Sequence, residues 1–438
     1  MAASERLLAV ALAALTSACS LGGVSREPCT SDRACRLAFG FASTCGEDGF
    51  CRRAAPTPRC ATTYPEDLFE APEAYADALV VGNLVDRSLE TQRARERAAR
   101  LALSQANDTG GIEGRTVGGV FCTVEEAEAL DDLTRTEAAV ETARYLVEEV
   151  GVPAIVGPSA SSDTQSVFTA LRGTDTLVVS PAATSPTLTA IDVAEPTDER
   201  PGLLWRTTPP DSLQGAAIAT DLEDRGVARV AVVHASGAYG EGLAREFERN
   251  FDGDLNLLPF DGPTARDEAI AVAGSTIAEE VLFISSQTSD AVAFLNAAAR
   301  ISAYDPKGLF LTDAAANADF LSGTRESASE RYPQVRGTRP AVPGGFVYDL
   351  FAGAYGAAYG GEDVSRYSFT AHAYDAAWMV VYGLAWATLQ EDAVDGTTIA
   401  RGLRQLSGGR PLEVRPADFQ PLVRAFREGE SVDVSGAS

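Results

Sequence analysis

Residues 154–187 read AIVGPSASSDTQSVFTALRGTDTLVVSPAATSPT. Two short apolar runs, Ala154–Val156 and Leu177–Ser180, are each followed at once by a turn of small and hydroxyl residues, and a helix over 162–171 separates them. Continuously apolar strands belong to sheets buried on both faces, and strands alternating with helices make parallel sheets. In such sheets ligands sit beyond the carboxyl ends of the strands, where helix N-termini present free N–H groups. The stretch therefore sets an α/β class and marks a place where a site can form.

The same scheme extends in both directions. Upstream, Ala78–Leu84 and Thr116–Cys122 read as strands around a helix that runs to Asn107 and stops at Gly110–Gly111. A further helix carries Ala139, Ala143, Leu146 and Val150 on one face and ends at Gly151. Downstream, Arg229–His234, Leu255–Phe260, Val281–Ser285 and Gly308–Thr312 are strands, with helices expected at 211–222, 241–249, 265–279 and 290–301. Two such blocks in series predict two doubly wound lobes. Tyr367–Leu389 is a long helix rich in Ala and aromatic residues, but His372 and Asp375 inside it favour a core helix over a membrane span.

Composition narrows the function. The 438 residues include 62 acidic and 36 basic ones, for a net charge of −26. That field repels phosphate backbones and anionic lipid, so no nucleic-acid partner is expected. The only histidines are His234 and His372 and the only lysine is Lys307, which leaves little for histidine metal sites, hydrolase triads or lysine phosphate loops. No G-x-S-x-G, S-x-x-K or H-E-x-x-H occurs. The expectation is a protein that is no enzyme and uses no metal or cofactor.

The start of the chain reads as an export signal over residues 1–18: Arg6, the apolar run Leu7–Leu15, then Thr16, Ser17 and Ala18 before Cys19. A small-residue run ending at a cysteine resembles the lipobox of bacterial lipoproteins, which implies a lipid anchor on Cys19 and a place in the bacterial periplasm or cell envelope. A plain signal peptide with a free Cys19 is the alternative. Six cysteines remain: Cys29, Cys35, Cys45, Cys51, Cys60 and Cys122. An even number in an exported chain predicts disulfides. The first four lie in a polar stretch too poor in apolar residues for its own core, so two local bridges are expected there, and Cys60 can pair with Cys122. Zinc is disfavoured because no C-x-x-C pair exists. Residues 19–60 are then a Cys-rich segment with a linker, and the Pro-containing, aperiodic stretch 53–70 reads as a linker.

Four strand-to-helix turns carry the candidate site: Gly157–Thr164, Ser180–Pro186, Ala238–Gly242 and Thr312–Ala315. Hydroxyls and N–H groups of the first two can hold an anionic head, and Asp313 can offset a cationic one, so together they suit a zwitterion. Each also has a plainer reading: serines and threonines at helix starts cap helices, Asp313 can be an N-cap, and Tyr239 can pack on its own lobe.

In this order the segments AIVGPSASSDTQSV, VVSPAATSPTLT, LWRTTPPDSLQG and RVAVVHASGAYGEGLAREF resemble the periplasmic leucine/isoleucine/valine-binding protein family, the substrate-binding lipoproteins of branched-chain amino-acid ABC transporters. The resemblance spans roughly residues 76–438. It implies the type 1 periplasmic binding fold, two Rossmann-like lobes joined by a hinge of several crossings and closing over a small ligand. It implies a first lobe of 76–207 plus about 340–398, and a second of 208–338 plus about 399–438. Further strands would complete that second lobe where this chain ends at Ser438. The resemblance assigns Ser161 and Thr184 to the ligand α-carboxylate, the Ala182 carbonyl to the ammonium, and Tyr239 to contact across the closing cleft. Asp313 falls where the branched-chain binders carry a glutamate, and Gln287 where they have an aromatic. The implied function is a receptor that delivers an amino acid or similar small carboxylate to an ABC permease. A sensory receptor of the same fold, or a structural lipoprotein with a decayed cleft, would be the alternatives.

Overall fold

The computed structural model describes residues 28–193 and 195–438; the expected signal peptide and Cys19 lie outside the described residues. The chain begins with a small cross-linked unit. A helix, Asp32–Phe39, packs on a hairpin of β1 (Ser43–Cys45) and β2 (Cys51–Arg53). Disulfides Cys29–Cys45 and Cys35–Cys51 tie the helix side to the hairpin, as the composition of the segment required. The unit is not independent. Phe41 and Ala42 are buried in the core of the first lobe, and the Arg36 guanidinium donates to the Gly151 carbonyl at 3.1 Å.

The first lobe is built on six strands: β3 (Thr62–Tyr64), β4 (Leu79–Val85), β5 (Val117–Thr123), β6 (Ala154–Val156), β7 (Leu177–Ser180) and β8 (Leu204–Arg206). Their order is β3-β5-β4-β6-β7-β8, parallel throughout except for β3, which runs antiparallel at the edge of β5. Part of the stretch read as a linker is thus an edge strand. Cys60–Cys122 fastens it to β5. A bridge spanning 62 residues is worth about 4 kcal/mol in the chain-entropy account. Successive residues of these strands point to opposite faces, and both faces are apolar. Leu79, Val81, Val156 and Val179 enter one core, while Val80, Leu84, Ile155 and Val178 enter the other.

The second lobe repeats the plan with β9 (Arg229–Ala235), β10 (Asp254–Phe260), β11 (Glu280–Ile284), β12 (Gly308–Leu311) and β13 (Val335–Gly337). The order β10-β9-β11-β12-β13 is all parallel. Leaving aside β3, both sheets share the 2-1-3-4-5 order, whose direction of winding reverses between the first and third strands. In the first lobe that reversal lies between β4 and β6, in the second between β9 and β11.

The C-terminal segment corrects one expectation. Residues 399–438 were expected in the second lobe but pack on the first. The helix Pro416–Arg427 lays Phe419 against Trp378 and Tyr382 of the helix Thr370–Gln390, which itself packs on the helix Glu90–Asp108. A parallel pair, β14 (Arg410–Glu413) with β15 (Val432–Ser435), follows, and the N–H groups of Ala437 and Ser438 both donate to the buried Asp375 carboxylate. The physical reason is apolar: Phe419, Leu422, Val423 and Phe426 are buried against the first lobe's core. The chain therefore passes between the described lobes twice, near 207–211 and 338–345, rather than several times.

This placement is testable, because Trp205, Trp378 and Trp386 all belong to the first lobe's core cluster. Phe419→Ala should destabilise that lobe by about 3–5 kcal/mol, shifting the denaturant midpoint read by tryptophan emission. An unshifted tryptophan transition would return the segment to the second lobe.

Candidate functional site

Two sheets with the same winding direct two sets of helix N-termini into the space between the lobes. From the first lobe, β4 leads into the helix Glu90–Asp108, β6 into the helix Ser161–Ala170, and β7 into the turn 181–185. From the second, β9 leads into the helix Ala238–Asn250, β11 into the helix Thr288–Arg300, and β12 into the short turn Asp313–Ala315. The lobes touch here: the Ser185 hydroxyl donates to the Ala238 carbonyl at 2.5 Å. Glycine makes the approach possible. A Cβ on Gly242 would lie 2.7 Å from Ser185 Oγ, and one on Gly237, whose φ is +99°, 2.9 Å from Ser162 Oγ. Gly237 also stands at the helix start, so the helix begins three residues earlier than the sequence suggested and Tyr239 sits in its first turn.

Between these elements lies a cavity of about 90 Å³. Ser161, Ala182, Thr184, Tyr239 and Asp313 all line it. Gln287 does not; it occupies the N-cap of the helix Thr288–Arg300, and its neighbours Ser286 and Thr288 face the cavity instead. The geometry gives each group a distinct capacity. Ser161 Oγ accepts from the Ser185 N–H at 3.2 Å, which leaves its own hydrogen to donate. Ser159 Oγ is buried with no partner among the described residues and lines the same wall. On the opposite wall, the Tyr239 hydroxyl donates to Asp313 Oδ1 at 2.5 Å, and Gln214 Nε2 donates to the same oxygen at 3.2 Å. Burial, reinforced by Asp313 and Asp211, raises the Tyr239 phenol well above its ordinary value, so it remains a donor. One wall thus offers hydroxyls and a helix N-terminus to an anion, the other a carboxylate to a cation.

Sequence reasoning missed several lining residues. Arg95, Gln92, Asn317 and Phe369 all border the cavity. Phe369 is buried with φ at +63°, an unusual backbone state for a large side chain and one that clusters at ligand sites. A second cavity of about 540 Å³ adjoins the first, sharing Thr184, Asp313 and Phe369, and is walled by the crossing segments around Pro209 and Pro340. His372 borders it as a neutral imidazole: burial and the charge of Arg95 push its pKa down to about 4.

Two parallel-sheet lobes enclosing a polar cavity define a bilobal binding protein. The sequence profile of the periplasmic binding protein family matches residues 82–420, and the chain belongs to that family. It is 33% identical over 172 residues to the leucine-specific-binding protein of Salmonella typhimurium and to the Leu/Ile/Val-binding protein of Escherichia coli. Those alignments cover 39% of this chain and 42% of each relative, so the match spans less than half of their length. Among solved structures, a branched-chain amino acid transporter substrate binding protein of Streptococcus pneumoniae in complex with isoleucine superposes with a TM-score of 0.58 at 21% identity. That superposition covers 76% of this chain and 90% of the other, and it establishes the shared fold.

Asp211, beside Thr184, supplies a pH test. Burial first, then the neighbouring Asp313 charge, pushes its carboxyl up to about 8, and one of its oxygens has no hydrogen-bond partner among the described residues. The unfolded chain's value is about 3.9. A pKa raised on folding gives stability that is full below the unfolded value and is lost as pH rises toward the folded one. Asp211→Asn removes that loss, so the melting temperature of the variant should gain on the parent's from pH 5 to about pH 8 and level off above it. Parallel melting curves across that range would refute the assignment.

Proposed function

We propose that this protein is an exported receptor for a free amino acid or similarly small zwitterion, which it hands to an ABC permease when its lobes close. The observation that carries the reading is one cavity bordered by both lobes, with Ser159, Ser161 and Thr184 on one wall and Asp313 with Tyr239 on the other. In this arrangement Ser161 and Thr184 hold the α-carboxylate, while Asp313 and the Ala182 carbonyl take the ammonium. The cavity of about 90 Å³ lies beside one of about 540 Å³ with which it shares Thr184, Asp313 and Phe369, and together they offer room for a small molecule. The names of the relatives, leucine-specific-binding and Leu/Ile/Val-binding protein, agree in ligand class. Three disulfides agree with export, since such bonds persist in oxidising compartments. Contacts to both lobes make the closed form the one that ligand stabilises, and that closure is what the permease reads.

A ligand present at a hundred times its dissociation constant stabilises the folded state by about 2.7 kcal/mol. Thermal melts against a panel of amino acids should therefore show a concentration-dependent rise with at least one of them. Ser161→Ala removes a hydrogen bond to a charged group, worth about 1.5–3 kcal/mol, and calorimetry should record affinity falling roughly 10- to 100-fold. A cooperatively melting protein that no amino acid stabilises would refute the reading.

A further inference from the structure

Two charged side chains at the small cavity, Arg95 and Asp313, stand in no salt bridge among the described residues. Three charged side chains border the small cavity: Arg95, Arg135 and Asp313. Arg135 is neutralised within its own lobe, its Nε 2.9 Å from the buried carboxylate of Asp163. Asp313 meets only the neutral donors Tyr239 and Gln214. Arg95 is the exception on its helix. Arg93 pairs with Glu90, Arg97 with Glu90 and Glu362, and Arg100 with Glu66, whereas Arg95 has no carboxylate within 4.0 Å among the described residues. Its Nε donates to the Ser368 carbonyl at 3.1 Å, and its guanidinium lies 5.3 Å from the centre of the Phe369 ring. These contacts orient the fork and leave its terminal nitrogens without a protein anion.

Position sharpens the point. Arg95 stands in the helix that follows β4, at the winding reversal where parallel sheets place their ligands. The Asp313 carboxylate acts on this guanidinium only from a distance, without a salt bridge, so a ligand that brings a carboxylate into contact with it offsets part of the cost of enclosing it. Burial lowers its pKa to about 10, which still leaves it charged at neutral pH. With its α-carboxylate on the hydroxyl wall and its ammonium on Asp313, an aliphatic amino acid leaves Arg95 without a direct anionic contact.

We propose that the ligand is an amino acid with an acidic side chain, its second carboxylate held by Arg95. This deepens the receptor reading and rests on it. The three ligand charges then meet three complementary groups: α-carboxylate on Ser161 and Thr184, ammonium on Asp313, side-chain carboxylate on Arg95. Arg95 suits that last role because its planar fork matches a carboxylate in two-point geometry, which a lysine does not.

The test compares near-isosteres by calorimetry on the full chain: L-glutamate against L-glutamine, and L-aspartate against L-asparagine. At least one acidic member should bind tenfold or more tightly than its amide, and Arg95→Gln should erase that preference while leaving amide affinity within about threefold. Arg95→Lys, which keeps the charge and loses the fork, should retain part of the preference. Equal binding of acid and amide by the parent protein overturns the proposal without any variant being made. Equal loss of both ligands in a folded Arg95→Gln protein also overturns it, placing Arg95 on the α-carboxylate. Neutral amino acids binding while both acidic ones fail sinks this proposal alone; no amino acid binding at all sinks the receptor reading with it.

Discussion

A parallel sheet leaves no face for water, and this constraint organises the molecule. Each strand must be followed by a helix that crosses the sheet and returns, so every helix N-terminus emerges along the same edge. Two sheets of this kind, set with those edges toward one another, bring six strand-to-helix turns together from sequence positions between 86 and 315. Side chains need only be short to reach the space between. Ser159, Ser161, Thr184 and Asp313 border the cavity with a hydroxyl or a carboxyl close to the backbone, because the backbone itself has been brought there. Long groups are few there, and Tyr239 and Arg95 approach from opposite lobes.

What the sequence discloses is what depends on neighbours along the chain. Ala154–Val156 and Leu177–Ser180 are strands with the limits read from their apolar runs, and the hydroxyl-rich turns after them do border the cavity. Five of the six ligand-binding candidates converge on one space. The disulfide-rich segment was likewise legible, since four cysteines in a polar stretch have few other uses.

What it conceals depends on partners distant in sequence. Phe419 finds its lobe through Trp378, some forty residues earlier, and no local pattern specifies which of two similar cores an amphipathic helix will choose. The family resemblance sets Gln287 at an aromatic position, but the helix begins at Thr288 and the glutamine takes its N-cap. Arg95 was hidden by its company: in ETQRARERAAR it reads as one more charge on a solvated face, and only the pairing of Arg93, Arg97 and Arg100 with carboxylates singles it out. Absence of a partner is a property of three dimensions.

The path of the backbone has a last consequence. Because 399–438 return to the first lobe, the second is one uninterrupted length of chain, entered near 211 and left near 338. The first lobe is the host and the second an insert, in the sense used for domains spliced into surface loops. Half of the cleft, including Tyr239 and Asp313, therefore travels as a single cassette with two adjoining seams. Exchange of that cassette between relatives would bring in a whole new wall of the binding site while leaving the disulfides and the host core untouched. In a protein so arranged, one wall of the cleft comes from a single stretch of gene and the other from the two stretches that flank it.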